Sequence, residues 1–314
     1  MNGEDPMTIS RIARISLVMI VLSAMGARAQ AAPAAPAKPA AVCEAYPGLA
    51  SAGLTHAALA ELPKGTLLRA GGLTIHQKDL TDEIAKAPAG LREQLRKNAF
   101  FVLERIATGK LLLQAAKAGP GAAQGDDGKV IESYLQRVAR QARVTDEEVA
   151  TFYARNKAMF GGAALAKVKD SIGRFLAQQK QQRAAREHVR TLGKRTAVTV
   201  SASWTKRAAA LARNNPVDKA RASGKPSLVD FGADGCRPCE MMTPILAALK
   251  QKHAGKVNVL FVHVRKEQVL AARYGIRSIP VQVFFDRDGK EAFRHVGFFP
   301  QNEIEKKLAE ISAR

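Results

Sequence analysis

Aromatic residues are scarce in this 314-residue chain. They make up 5% of it, with a single tryptophan, Trp204. No zinc finger, basic zipper or aromatic RNA-binding pattern accompanies them, which removes the usual signatures of a nucleic-acid reader. Cysteine is rarer still: Cys43, Cys236 and Cys239 are the only three. A structural zinc site takes four ligands, and no second CxxC motif exists to complete one. The six histidines are scattered without motif spacing, so solvated or core roles are their default. Cys43 with His253 or His263 would be an improvised set, and neither a metal nor another cofactor is expected. Long apolar runs are missing as well. Ile15–Leu22 falls well short of the ~20 residues of a membrane span. Acidic residues are outnumbered, 28 Asp and Glu against 49 Lys and Arg, for a net charge of +21 and a pI near 10.2.

That positive excess attracts acidic partners, anionic lipid heads or nucleic acid. The simplest reading is a solvated basic face, and nucleic acid is not expected as a partner. The charge is uneven: residues 44–216 carry 28 basic against 15 acidic side chains, and residues 217–314 carry 17 against 11. At the N-terminus, Arg11 and Arg14 precede the apolar run, and Ala27-Arg28-Ala29 supplies an A-x-A pattern. Together they read as a signal peptide over residues 1–29. The chain is therefore expected to be exported to a bacterial periplasm, where disulfide chemistry persists. An uncleaved inner-membrane anchor facing the periplasm is the alternative.

Beyond residue 29 the length allows about two domains. Residues 30–66 read as an Ala/Pro-rich linker and an irregular segment. Leu67–Ile75 reads as strand–turn–strand, and Asp79–Ile84 as a short helix ending before Pro88. Residues 90–118 carry a roughly helical apolar stripe. A glycine-rich stretch from Gly119 to Gly128 follows; it ends in Lys129 but lacks the preceding strand and the following Ser or Thr of a phosphate loop. Residues 130–143 continue as helix. Thr145 and Glu148 form a capping box opening the next helix, and Gly161-Gly162 interrupts. A Lys-, Arg- and Gln-rich helix from about Ala164 to Gly193 leads to a short strand, Ala197–Val200. These long helices of mixed character, without an enclosed catalytic cluster, suggest an extended arm over residues 67–203. Residues 204–216 read as a linker helix ending at Asn214-Asn215-Pro216.

The chemistry concentrates after residue 217. Cys236-Arg237-Pro238-Cys239 follows the apolar strand Ser227–Phe231 and opens a helix, an arrangement that reads as a redox dithiol. A thiol at a helix start faces the positive end of the macrodipole, which stabilises the thiolate. Only the thiolate attacks a disulfide. The spacing places the second sulfur one turn from the first, within disulfide reach. A purely structural disulfide is the bland alternative, and it leaves the strand-to-helix location unexplained. Strands at 227–231, 257–264, 280–285 and 291–296, alternating with helices, imply a central sheet covered by helices.

Two resemblances add to this reading. Residues 217–314 are similar to the thioredoxin fold. The resemblance rests on Val229-Asp230-Phe231, the CxxC motif, Pro244, Tyr274–Pro280 and Gly297. The lead-in Ala220–Pro226 resembles the DsbD C-terminal domain. The resemblance implies that Cys236 is the exposed nucleophile and Cys239 the resolving thiol. It also implies that Asp230 is a buried proton carrier, that Pro280 is in cis, and that Ile279 offers backbone groups to an extended substrate. Several positions depart from the family. Gly235 replaces a tryptophan, and Phe261 stands where a lysine partners the aspartate. Val281 replaces a threonine. Arg237 replaces a glycine and, as a cation beside Cys236, should favour its thiolate and make the pair more oxidising. Residues 66–200 resemble the N-terminal domain of SurA-like and trigger-factor-like chaperones. The matching stretches are Gly71–Ile75, Asp79-Leu80, Val144–Val149 with Phe152–Lys157, and Ala197–Val200. No parvulin-sized segment is present at Gly161–Ala163, so prolyl-isomerase activity is not expected.

The expected fold is thus a multidomain α plus α/β chain, with an extended helical SurA-like arm followed by a thioredoxin fold with a mixed sheet. The expected function is that of an exported protein thiol–disulfide oxidoreductase. Its partners would be clients with thiols or disulfides, unfolded polypeptides, and a membrane or soluble redox partner. A redox-silent holdase and a basic surface binder are the competing readings. The direction of electron flow, the role of Cys43 and homodimer formation stay open.

Overall fold

The computed structural model describes residues 39–119, 125–140 and 143–313. The signal-peptide reading over residues 1–29, most of the Ala/Pro-rich linker and part of the glycine-rich stretch lie outside the described residues. The first region begins with α1 (Val42–Ala45), β1 (Ala58–Ala60), β2 (Thr66–Ala70) and β3 (Leu73–His76). Then come α2 (Gln77–Lys86), α3 (Ala89–Lys97), α4 (Ala99–Ala118), α5 (Asp127–Ala139), α6 (Asp146–Arg155) and α7 (Leu165–Arg195). Finally β4 (Thr199–Ser201) and α8 (Ala202–Ala212) close it. The second region holds α9 (Pro216–Arg221), β5 (Ser227–Gly232), α10 (Arg237–Lys252), β6 (Asn258–His263) and α11 (Gln268–Arg273). It ends with β7 (Val281–Phe285), β8 (Glu291–Val296) and α12 (Gln301–Ser312). Among the described residues no helix is long and apolar enough to cross a membrane.

In the first region the strands form a sheet of order β1-β4-β2-β3. Gly71 and Gly72, both at positive φ, turn β2 into its antiparallel partner β3, as a two-residue hairpin requires. β4 arrives after the long helices and inserts between β1 and β2, so the chain closes on itself. Leu68, Ile75, Phe100, Leu103 and Val200 are fully buried in the resulting core. The capping box is present: the Glu148 amide donates to the Thr145 hydroxyl at 3.2 Å, and the Thr145 amide to the Glu148 carboxylate at 2.9 Å. α7 holds α5 and α6 through Tyr134–His188 at 2.8 Å, Lys180–Glu148 at 2.7 Å and the Phe152–Phe175 ring contact.

Three expectations change here. Within residues 30–66, read as linker and irregular segment, the described residues supply β1 and four core side chains: Val42, Leu49, Leu54 and Ala57 are at most 1% exposed. Glu104 of α4 holds this segment by accepting backbone N–H groups from Ser51, Ala52 and Leu54 at 2.8–3.2 Å. The segment read as a linker helix is also core: α8 buries Ala208, Ala209 and Ala212. The single helix expected over residues 90–118 breaks at Asn98, whose side-chain amide donates to Gln94 O at 2.9 Å. Asn side chains compete in this way with the helical ladder.

The second region is built on a mixed sheet of order β6-β5-β7-β8, with β5 parallel to β6 and the other pairs antiparallel. β5 is buried along its whole length because helices cover both faces. Leu228, Val259 and Phe284 pack with Met242 and Leu249 of α10 and Ile304 and Leu308 of α12. Val229, Phe231, Val281 and Val283 pack on the opposite face with Val217 of α9 and Leu270 of α11.

The two regions share a buried junction. Arg273 of α11 donates to both oxygens of Asp218 at 2.7 and 3.0 Å, to Ala212 O at 2.9 Å and to Gly48 O at 3.0 Å. Val269, also on α11, is buried in the core of the first region, and Gln94 of α3 bonds Lys266 O and the Val269 amide. Removing one partner of such a buried pair costs about 3–5 kcal/mol.

Candidate active site

The site stands where β5 ends and α10 begins. After Gly232 the chain turns through Ala233-Asp234-Gly235, and Gly235 takes φ +70°. A side chain there would be strained, which accounts for glycine where the family has tryptophan. Cys236 is the N-cap of α10, and Pro238 lies in its first turn, where no intrahelical N–H is required. The Cys239 amide donates to Cys236 O at 2.8 Å. Cys236 is half-buried and Cys239 is buried, and the two are joined as a disulfide with a Cα–Cα distance of 5.2 Å.

Gly232 lets the strand end come against the inner cysteine. A Cβ on it would stand 2.9 Å from the Phe261 ring and 3.5 Å from Cys239 Sγ. Side chains alternate along a strand, so Asp230 shares the face of Gly232, one step deeper beneath the dithiol. Register places Phe261 on one side of Asp230 and Gln282 on the other. Asp230 and Gln282 are fully buried. The Gln282 amide donates to Asp230 Oδ1 at 2.7 Å, while Asp230 Oδ2 and Gln282 Oε1 have no partner. Burial pushes the Asp230 carboxyl up to about 6, against the pull of the Gln282 bond.

Pro280 immediately precedes β7, and the pairing of Phe231 with Val281 brings it level with Gly232. The Ile279–Pro280 bond is cis. Ile279 lines a cleft of about 300 Å³ with Val264, Ile276 and Arg277. Arg237 is exposed on the first residue of α10. The structure therefore gathers Asp230, Cys236, Cys239, Ile279 and Pro280 at one end of the sheet. Cys43 lies on α1 of the first region, 3.8 Å from His56 Nδ1.

Sequence reasoning missed two partners. Gln282, on the β7 side of Asp230, supplies the side-chain partner that the family resemblance places on the β6 side at 261, where Phe261 is 51% exposed. The signal was a lone polar residue in the apolar strand Val281–Phe285. His263, treated as an ordinary histidine, bonds Asp234 at 3.0 Å in the turn before Cys236. That bond holds the Asp234 carboxyl below its usual range. Among the described residues no group of three or more His, Cys, Asp or Glu side chains is placed to hold a metal ion.

A mixed sheet with helices on both faces and paired cysteines at a helix start defines a thioredoxin-like protein. The family model described as thioredoxin-like domain matches residues 213–312. Thioredoxin from Alicyclobacillus acidocaldarius is 37% identical over 87 residues, covering 28% of this chain and 82% of that protein. Thioredoxin 2 from Chlorobaculum tepidum is 40% identical over 88 residues, covering 28% and 80%. The X-ray structure of Fasciola hepatica thioredoxin is 29% identical and covers 28% of this chain and 83% of that one, with a TM-score of 0.27. Through this region the chain belongs to the thioredoxin family, whose members support thiol–disulfide oxidoreductase activity at family level.

Proposed function

We propose that the protein is an exported thiol–disulfide oxidoreductase that acts on protein disulfides through Cys236 and Cys239. In this reading the helical first region is a SurA-like arm that holds clients. The observation that carries it is the cysteine pair at the start of α10, above a buried aspartate whose second oxygen is unpartnered.

In the reducing direction the Cys236 thiolate attacks one sulfur of a client disulfide. That S–S bond breaks, the other client sulfur leaves as a thiolate, and a mixed disulfide forms. Cys239 passes its proton to Asp230 and attacks the Cys236 sulfur. The second client thiolate leaves, and the Cys236–Cys239 disulfide closes. Two electrons have moved to the client, and the reverse sequence oxidises it. With its carboxyl near 6, Asp230 is ionised and able to accept a proton at neutral pH. The helix start favours the outer thiolate, and Arg237 adds a cation beside it. Residues 1–29 support export to the periplasm by their sequence pattern. The long helices around α7 support client binding by resemblance to the SurA-like arm.

The test is reduction of insulin and refolding of scrambled ribonuclease by the full chain and by Cys236→Ala. Activity that depends on Cys236 is expected. Activity unaffected by the substitution overturns the reading. Suppression of client aggregation that survives loss of both cysteines, without any exchange, replaces it with a redox-silent holdase.

A further inference from the structure

α7 carries nine Lys and Arg against two Asp and Glu. Part of that charge is delivered to the second region. Arg186 and Arg190 are four residues apart and so share a helix face. A methyl group on Gly275 would stand 3.6 Å from a terminal nitrogen of Arg186, so α7 touches the loop that leads to Pro280. Arg277 lies in that loop, and Arg294 of β8 completes a group of four arginines around Arg186. Glu291, the nearby acid, is bound to Arg294 through two contacts of 2.8 Å. Among the described residues Arg186, Arg190 and Arg277 form no ion pair. Partial burial and the three neighbouring guanidiniums hold Arg186 below the usual arginine range. Clustered like charges repel, and an anion seated among them removes the repulsion.

The cleft of about 300 Å³ continues from this cluster through Arg277. Val264, Ala271, Ile276 and Ile279 give it apolar walls. One of its walls is tied to the strand end against the inner cysteine: the Val264 amide donates to Gly232 O at 2.9 Å, and a Cβ on Gly232 would stand 3.5 Å from Cys239 Sγ. None of its lining residues is aromatic, whereas stacking of nucleic-acid bases uses aromatic platforms.

We propose that the cleft and the arginine cluster together bind an extended polypeptide segment in which acidic residues flank an apolar one, and so select acidic clients. The apolar side chain enters the cleft beside Ile279, and the flanking carboxylates meet Arg186, Arg190 and Arg277. Two of these arginines belong to α7, outside residues 213–312 that match the thioredoxin-like model. The first region thereby adds specificity that the second region lacks alone. The selection of exchange substrates rests on the oxidoreductase reading; the binding itself does not.

The experiment measures binding of two labelled peptides to the full chain, each with one isoleucine, flanked by Asp and Glu in one and by Ser and Asn in the other. At low salt the acidic peptide should bind about tenfold more tightly, a difference of about 1.4 kcal/mol, and added salt should erase the advantage. Arg186→Ser/Arg190→Ser, checked for helical content by circular dichroism, should remove most of the preference. Equal affinities in the unaltered chain overturn the inference, as does a preference untouched by salt or by the double substitution. Tighter binding of an oligonucleotide or an anionic vesicle than of the acidic peptide also overturns it. Acid-selective binding without any thiol exchange overturns the oxidoreductase reading alone. Exchange without acid selectivity overturns this inference alone.

Discussion

Both regions bury carboxylates, and Glu104 and Asp230 are treated differently. Glu104 in the first region is 2% exposed, and its oxygens accept backbone N–H groups from Ser51, Ala52 and Leu54 and a hydroxyl from Ser51. Asp230 in the second is fully buried with one amide donor and an oxygen left unpartnered. Burial pushes both carboxyls up, and only for Glu104 do several backbone donors pull back. A buried group with all its partners fixes a segment in place. A group with a vacant oxygen beneath a thiol is poised to take a proton. The comparison teaches that Glu104, like Asp218 at the junction, is a buried carboxylate fixed by its partners, whereas Asp230 keeps an oxygen unpartnered next to the cysteine pair.

That contrast can be broken at several points. Glu104→Ala should have the largest effect. It strands backbone donors in the core, and each lost partner costs about 1–3 kcal/mol, so a total loss of about 3 kcal/mol or more is expected in urea unfolding. An effect near zero would mean the segment is held by packing alone.

Asp230→Asn should act in the opposite direction. The folded-state carboxyl sits near 6 against an ordinary 3.8. A raised carboxyl leaves the fold unpenalised below the ordinary value. As pH rises through this window the unfolded chain ionises first, and the fold loses stability until the penalty is complete above about 6. The substitution should therefore stabilise the protein above that pH by at most about 3 kcal/mol. It should give no gain near pH 3, where both forms are neutral. Denaturation midpoints across pH check the sign.

Gln282→Leu removes the amide that supports the ionised form of Asp230. Its carboxyl should move up from about 6 by about one further unit, since a hydrogen bond to a charged group is worth about 1.5–3 kcal/mol and one unit about 1.4. NMR titration of the Asp230 carboxyl carbon reads this directly, and the pH profile of insulin reduction should shift the same way. The smallest effect is expected at Arg237, which is exposed and screened. Arg237→Gly should lower the reduction potential of the pair by about 30 mV or less, equivalent to about 1.4 kcal/mol or less. An unchanged or raised potential removes the argument that this cation makes the pair more oxidising.

Legibility follows the same division. The second region could be read in the sequence because its strands are short apolar runs between helices, and because Cys236, Cys239 and Asp230 stand at the expected junction of strand and helix. The first region was harder. Its α1–β1 segment is punctuated by glycine and proline, and its buried positions, Val42, Leu49, Leu54 and Ala57, follow neither helical nor strand periodicity. Their burial depends on Glu104, fifty residues away in sequence. The Asn98 break follows from a side-chain bond that no periodicity encodes. Gln282 and Arg273 escaped for a related reason. Their partners, Asp230 and Asp218, lie more than fifty residues away and meet them only through strand register or helix docking.

The central claim is that Cys236 is the atom through which this protein exchanges disulfides. Incubating the reduced Cys239→Ser chain with a disulfide-bonded protein such as insulin tests it most directly, because loss of the second thiol stalls the reaction at the mixed disulfide. The account predicts a client adduct, reversed by dithiothreitol, whose linkage maps to Cys236 by mass spectrometry and disappears in Cys236→Ser/Cys239→Ser. An adduct mapping to Cys43, or no adduct, would contradict it.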